Sequence, residues 1–376
     1  MVIPWLTLET LAADIVSVAS LGDAPRNFAS WYRVVQRLLS KIPACYDTLT
    51  TRDIADKVRA TRQRGEGVDL TIPTNSGRYR LLTRPIFGPT GEVHAVRVWL
   101  GPANVTVPTP QPAVGVIWDL DTQTILQPDT VTQLTGVGGE AYVPTLSIAE
   151  LFHRATVFDQ HAELLELLYD PDSGGRLQFD ATIRDRRGRN GVWRITIRTR
   201  VDHRGRGAWW LIEDVTSTAS APERAPLESV GLREAHRRAG THLALVQVEW
   251  TSIAHWLTDP APWVRWDYLY RPVDVFHPDD RAQLMELGDQ LRSNDTAGMT
   301  IRTLNYFGEY TATRLLLYPH PGFPQRKSAL AQLTWAACDS GATTRISRRN
   351  NNPFAPEQPF GYDAELREIT TRDHAS

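Results

Sequence analysis

The sequence predicts an α+β chain of three tandem domains, each a five- to six-stranded antiparallel sheet flanked by short helices. Three observations predict it. A run of three strands occurs three times: Leu70-Thr71-Ile72 to Val93–Leu100, Phe179–Ile183 to Ala208–Ile212, and Met299–Leu304 to Ser328–Trp335. Turn glycines Gly77, Gly191 and Gly308 recur at a domain's length, each followed two places later by an aromatic ring (Tyr79, Trp193, Tyr310). Such a period marks duplicated domains rather than a solenoid. Finally, Val114-Gly115-Val116-Ile117-Trp118 and Val246-Gln247-Val248-Glu249-Trp250 share a Val-x-Val-x-Trp pattern expected to open two of the sheets. The chain's 376 residues fit two to three domains of ~100–200 residues.

Taken in order, residues 5–21 alternate apolar and polar and then turn β-branched, which predicts a strand pair, with Ala12-Ala13 leaving a helix open. Phe28, Trp31, Val34, Val35, Leu38 and Leu39 lie at helical spacing and predict a helix from Asn27 to Ser40. Thr51–Arg64 reads as a polar helix stopped by Gly65 and Gly67. Four prolines between Gly101 and Pro112 predict an extended, semi-rigid spacer and a domain boundary. In the second domain Gly136–Gly139 is a loop, and Ile148–Tyr169 is amphipathic through Leu151, Phe152, Leu164, Leu165, Leu167 and Leu168. Ser217–Pro226 is the second linker, and Leu227–Gly240 a helix between domains. The domains are drawn at 1–103, 112–218 and 228–340, with a polar tail at 341–376 too poor in apolar residues to fold alone.

In His277-Pro278-Asp279-Asp280 the proline suits the first helical position, where its missing N–H costs nothing. The aspartates fall in the first turn, where the helix dipole favours negative charge. The segment therefore reads as a helix start, with Leu284, Met285 and Leu287 facing inward. Standing between two strands and a three-strand run with a Gly-x-Tyr turn, it resembles a PAS domain. The middle copy keeps Phe152-His153 and the three strands without Pro-Asp-Asp, and both GAF and PAS remain open for it. The first copy resembles them in element order and its Gly77-Arg78-Tyr79 turn. As a whole, residues 1–340, opening on Trp5-Leu6-Thr7-Leu8-Glu9-Thr10-Leu11, resemble the tandem PAS–GAF–PAS proteins of actinobacteria, mycobacterial type. That resemblance implies three PAS/GAF-like domains and a sensory or signalling role without an attached catalytic domain. It carries over no site residues.

Net charge is -2 with the signs mixed, so no chain-wide field draws nucleic acid or anionic lipid. A hydrophobic share of 41% supports packed cores, and 22% charge argues against wholesale disorder. No apolar run approaches the ~18 residues of a membrane span, and the N-terminus lacks a signal-peptide pattern. Cys45 and Cys338 stand apart in sequence, outside any metal spacing; buried thiols in a reducing, cytoplasmic compartment are expected.

Candidate chemistry is thin. His153, Asp159 and His161 are offered as metal ligands, but metal-binding helices place ligands four apart, so a solvated or capping role is preferred and no metal or other cofactor is expected. The Gly136–Gly139 cluster lacks the Lys-Ser/Thr of a phosphate loop. The hairpin Arg184–Arg200, with Arg186, Arg187, Arg189, Arg194 and Arg198, is basic around Trp193. Alternating strand positions make a solvated outer face its ordinary explanation, so nucleic acid is disfavoured. Candidate pocket walls are Val116, Trp118, Phe152, Trp193, Val248, Trp250, Tyr310 and Trp335, apolar and aromatic positions of sheet and helix; the preferred alternative is that these rings fill the domain cores completely, as dense interior packing favours. The expected function is a non-enzymatic sensor that binds a small ligand, a protein partner or both, with a homodimer compatible. A cryptic enzyme in a domain cleft and nucleic-acid binding through residues 184–200 are the alternatives.

Overall fold

The structure, a computed structural model, describes residues 3–336 except 13–14, 46–47, 76, 136–141, 158–159, 173, 185–188, 203–204, 218–226, 268, 270, 292 and 321–327. Asp159, Cys338, the Gly136–Gly139 loop, most of the second linker and the tail lie outside the described residues.

The first sheet forms from β1 (Leu6–Glu9), β2 (Ser17–Leu21), β3 (Ala24–Ser30), β4 (Asp69–Thr74), β5 (Gly77–Phe87) and β6 (Val93–Pro102), in the order β3-β2-β1-β6-β5-β4. Helices α1 (Trp31–Ser40) and α2 (Thr51–Arg64) cover its inner face, closing a core of Leu6, Leu8, Val18, Val35, Ile54, Val58, Leu81, Val96 and Val98. α2 starts at a reciprocal cap: Asp53 N–H donates to Thr50 Oγ1 at 3.2 Å and Thr50 N–H to Asp53 Oδ2 at 2.8 Å. It stops at Gly65, whose φ of +69° suits glycine. The helix expected from Asn27 begins only at Trp31. Ala24–Ser30 instead pairs with β2, and Asn27 and Phe28 take φ of +41° and +58°, outside any helical conformation.

The middle sheet contains β7 (Ala113–Asp119), β8 (Thr124–Leu126), β9 (Thr145–Ser147), β10 (Ala155–Val157), β11 (Arg176–Arg184), β12 (Asn190–Asp202) and β13 (Gly205–Asp214). Its order is β10-β11-β12-β13-β7-β8-β9, so two three-residue edge strands take it beyond the expected five or six. Helices α3 (Thr132–Thr135), α4 (Ile148–Arg154) and α5 (His161–Tyr169) lie between strands. The amphipathic run 148–169 is thus not one helix. β-branched Thr156-Val157 favours extended backbone, and Ala155–Val157 pairs with β11.

The third sheet follows α6 (Leu227–Ala239) and is built from β14 (Thr241–Gln247), β15 (Ser252–Trp256), β16 (Ala297–Leu304), β17 (Tyr310–Pro319) and β18 (Ser328–Trp335), ordered β15-β14-β18-β17-β16. Its helix α7 (Pro278–Gln290) starts as the sequence expects. His277 Nδ1 accepts from Asp279 N–H, and Asp280 accepts from the backbone N–H of Arg302 at 2.8 Å and its guanidinium at 2.6 Å. The His-Pro-Asp-Asp segment therefore staples α7 to β16. Leu284 and Leu287 are buried, but Met285 faces solvent.

All strand pairs are antiparallel, and the three sheets share a pattern. The first strand lies between the second and the last, and the last-but-one follows outward. Leu8, Val96 and Pro85 sit side by side, as do Trp118, Ala208 and Thr199, and Val246, Ala329 and Pro319. This register corrects the Val-x-Val-x-Trp equivalence. β7 carries its whole motif, whereas β14 ends at Gln247 and leaves Val248 and Trp250 in the turn. The residue matching Trp118 is Val246. Hairpin closure decides it: Asp119 pairs with Thr124 and Gln247 with Ser252, and the residue before each second strand, Gln123 or Thr251, has positive φ (57° and 48°). Gly77 and Gly308 have the positive φ of turn glycines; Gly191 lies within β12 opposite Ile183.

The first and middle sheets pack face to face. Leu11, Ala19, Ile86, Ala95 and Leu211 form the apolar part of the contact. The polar part is fully buried: Arg198 Nε and Nη2 donate to Glu9 Oε1 at 2.9 and 2.7 Å, and Glu213 Oε1 accepts from Thr7 Oγ1 at 2.9 Å and Ser20 Oγ at 2.8 Å. Phe28 lies under the guanidinium of Arg198, 4.7 Å from its ring centre. His94 fills a notch between Gly88 and Gly115, stacks on Trp209 at 4.6 Å and donates from Nδ1 to Trp210 O at 2.8 Å. Burial pushes its pKa down to about 4. The proline-rich connection is strapped down at both ends: Trp5 Nε1 donates to Pro108 O and Asp214 N–H to Pro112 O.

This packing corrects the reading of the arginine-rich hairpin. Arg194 and Arg198 are buried, not solvated, because the first sheet covers the outer face of β12. Arg194 forms a two-pronged pair with Asp180 at 2.9 Å, and Arg200 stacks 3.8 Å over Trp209.

Candidate functional site: the junction of the middle and C-terminal sheets

The middle sheet's inner face carries Val116, Trp118 and Trp193, with Phe152 of α4 above them, in one core. Period-two alternation aims these strand residues inward. α4 is set by a second reciprocal cap, in which Ser147 N–H donates to Glu150 Oε2 and Glu150 N–H to Ser147 Oγ. The core does not end at the domain edge. Leu245 of β14 and Ala254 of β15 belong to it, Trp250 packs against it, and Ala149 of α4 reaches into the core of the third sheet.

Two hairpin turns meet here. Ser252 Oγ donates to Gln123 Oε1, and Gln123 Nε2 donates to Trp250 O at 3.2 Å. Gln123, whose φ is positive, thus bridges the two turns through its side-chain amide. Tyr169, at the end of α5, lies edge-on to Trp118 at 5.5 Å, and Trp118 Nε1 donates to Leu168 O at 3.0 Å. Burial pushes the Tyr169 phenol pKa up, so it stays protonated. Gln247, fully buried beside Ser252 in the sheet, accepts from Ser328 Oγ at 2.9 Å.

Beside this polar patch is a ring cluster. Phe152 lies 5.1 Å from His255 and 5.6 Å from His161, and the two imidazoles stack at 5.0 Å. Burial, with His161, His153 and Arg233 nearby, drives the His255 pKa down to about 3 and keeps it neutral. His153, on the separate helix α4, stacks edge-on against Trp266 at 5.0 Å. Among the described residues no group of three or more His, Cys, Asp or Glu is arranged to hold a metal.

The expected pocket walls therefore separate. Val116, Trp118, Phe152, Trp193 and Trp250 share the junction and the core behind it. Val248 lies in the third core, where α7 approaches it so closely that a Cβ on Gly288 would meet Val248 Cγ1 at 2.3 Å. Tyr310 sits edge-on to His277 and donates to Asp274 O at 3.2 Å. Trp335 is half-exposed at the end of β18 against Trp263. Gln123, Tyr169, Gln247, Ser252 and His255 were missed as site residues. Single polar residues at turn and strand ends give no periodic signal, and only the hairpin register brings them together.

Residues 4–109 match the family model described as Rv3651-like, N-terminal. No curated protein matches the chain. An uncharacterized protein from Mycobacterium tuberculosis, known from its crystal structure, is similar over 89% of this chain and 97% of its own, with TM-score 0.72 and 19% identity. That likeness shows a shared fold, and the expected resemblance to a mycobacterial protein is met at that level. A sensory box histidine kinase/response regulator from Burkholderia thailandensis E264 covers 34% of this chain and 91% of its own at TM-score 0.23 and 13% identity. An RNA-binding light-oxygen-voltage receptor covers 59% and 94% at TM-score 0.24 and 10% identity. Similarities that low carry no argument about this chain.

Proposed function

We propose that the chain is a non-enzymatic sensory or scaffold protein of three tandem PAS/GAF-like domains, binding a small molecule, a protein partner or both. One observation carries the reading: the middle sheet is covered on both sides by its neighbours, with buried polar contacts crossing each junction. A change in the middle domain's core then has to move Gln123 and α4 against the third sheet, or β12 and β13 against the first. Packed interfaces respond to such displacements as bistable contacts rather than by smooth deformation. The output is contact with another protein.

Among the described residues of the hairpin 184–200, Arg194 and Arg198 are already engaged beneath the first sheet, which speaks against a nucleic-acid face there; Arg186 and Arg187 lie outside the described residues. The buried histidines at the two junctions are stacked within aromatic contacts, which supports the non-enzymatic reading over a catalytic cleft. The test is native mass spectrometry of the full chain combined with capture from extract of its own cells. A retained small molecule, or one partner recovered repeatedly and lost on disruption of the junction, is the expected result. Neither ligand nor specific partner across repeats would reject the reading.

A further inference from the structure

Three histidines meet where the third sheet docks on the middle domain. His153 on α4 and His161 on α5 come from one side, and His255 on β15, beside Leu245 in the sheet, comes from the other. His161 and His255 stack with ring centres 5.0 Å apart, and Phe152 closes the stack 5.1 Å from His255. Leu245 and Ala254, the neighbours of His255 on the third sheet, belong to the middle domain's core, so the ring sits within the contact rather than at its rim. Its Nδ1 is buried without a hydrogen-bond partner. An imidazolium donates from both nitrogens, so a proton taken up here leaves a buried, charged N–H with no acceptor.

The groups acting on this ring all oppose its protonation. They are His161, His153 and Arg233 of α6, and among the described residues no carboxylate offsets them. Asp267 and Asp259 act instead on His153, alongside Arg154 and Arg233. The first junction is built differently: there the sheets are joined by opposite charges, Arg198 and Glu9, with His94 as the one stacked histidine among the described residues.

We propose that the middle/C-terminal junction is a proton-operated latch: the third sheet stays docked on α4 and α5 while His255 is neutral, and is released as that ring takes up a proton. The docked ring resists protonation down to about pH 3, whereas a freed histidine titrates near ~6.5. The undocked form therefore binds more protons, and acid favours it. Docking is at full strength above about pH 6.5 and weakens about tenfold per pH unit below it, or about 30-fold by pH 5 from His255 alone. The latch adds a regulation to the sensor reading and rests on that reading for its use, though not for its chemistry.

The test is hydrogen exchange of the full chain at pH 7, 6 and 5, corrected for the intrinsic pH dependence of amide exchange. Protection in α4 and β15 should fall by about 30-fold from pH 7 to pH 5, while β17 and β18, within the third sheet, keep theirs. His255→Phe keeps a ring against Phe152 and removes the titration, so most of that fall should vanish. His255→Gln asks the same question without a ring, should the phenylalanine variant misfold. His94→Phe, at the other junction, should leave the fall in α4 and β15 in place. A flat profile in the parent, a loss shared equally by β17 and β18, or a fall that survives both His255 variants would overturn the latch. A partner captured equally at pH 7 and 5, with a flat exchange profile, refutes the latch and leaves the sensor reading intact.

Discussion

Replacing Arg198 with methionine tests the docking of the first two sheets. Glu9 is fully buried, and Arg198 gives it two guanidinium bonds from across the junction. Methionine keeps most of the side chain's length and leaves the Glu9 carboxylate with the Ser17 hydroxyl and the backbone N–H of Leu11 as its donors. Removing one partner of a buried ion pair costs about 3–5 kcal/mol, because the other charge stays in a low-dielectric site. Loss of the guanidinium over Phe28 adds about 1 kcal/mol. For a cooperative unit of roughly 200 residues, 1 kcal/mol shifts Tm by about 2–4 °C, so R198M should lower the first transition by about 8–24 °C. Hydrogen exchange should quicken together in β1 and β12, since the two strands are held by the same pair. The double variant Glu9→Leu/Arg198→Met should recover most of the loss, as apolar replacement of a buried pair is often neutral. A cost below about 1 kcal/mol, or faster exchange in β12 with β1 unchanged, would refute the claim that the pair holds the sheets together.

Further expectations concern acid and the helix staple. His94 has a folded pKa of about 4, below the ~6.5 of an unfolded histidine, so the unfolded chain takes up the proton first as pH falls. Its contribution is complete above about pH 6.5 and is lost progressively towards pH 4, by about 3 kcal/mol in all. Arg200, the charged group acting on the ring, makes protonation less favourable still, and His255 adds a loss of the same sign at its own junction. Urea titrations between pH 7 and 4 should show the slope, and His94→Phe should flatten it; an unchanged slope would discount His94. Asp280→Ala should cost about 1.5–3 kcal/mol through the charge-assisted bonds to Arg302. Exchange protection should then fall at the start of α7 and in β16 together, and a loss confined to α7 would show that the motif is only a helix cap.

The sequence was most readable where local chemistry decides the outcome. Thr50, Asp53 and Gly65 bracket α2, and His277–Asp280 starts α7, because capping needs particular side chains within four residues. The alternation of the long strands also survives folding, since one face of each is buried. Reading failed where tertiary pairing overrides local pattern. Phe28 and Trp31 share a helical spacing but lie on a strand and a helix, and Val248 and Trp250 complete a strand pattern in a turn. A motif match does not fix hairpin length, so it could not reveal that Trp118 and Val246 are the true counterparts. Arg194 and Arg198 look like solvated strand residues because nothing near them in sequence announces a second sheet on that face. The junction patch was equally hidden: Gln123, Gln247 and Ser252 acquire meaning only once two turns meet.

The strap formed by residues 103–112 has a consequence for dissecting the protein. It is tied to the first sheet through Trp5 and to the middle one through Asp214, while the contacts that hold the sheets lie elsewhere, on β1, β2, β12 and β13. Covalent continuity and adhesion are therefore separate properties. A protease nick between Ala103 and Val107 would sever the chain without parting the halves, and the two pieces would travel as a split protein that reassembles from its fragments. A boundary that looks like the natural place to divide the gene is thus a place where division leaves the assembly whole.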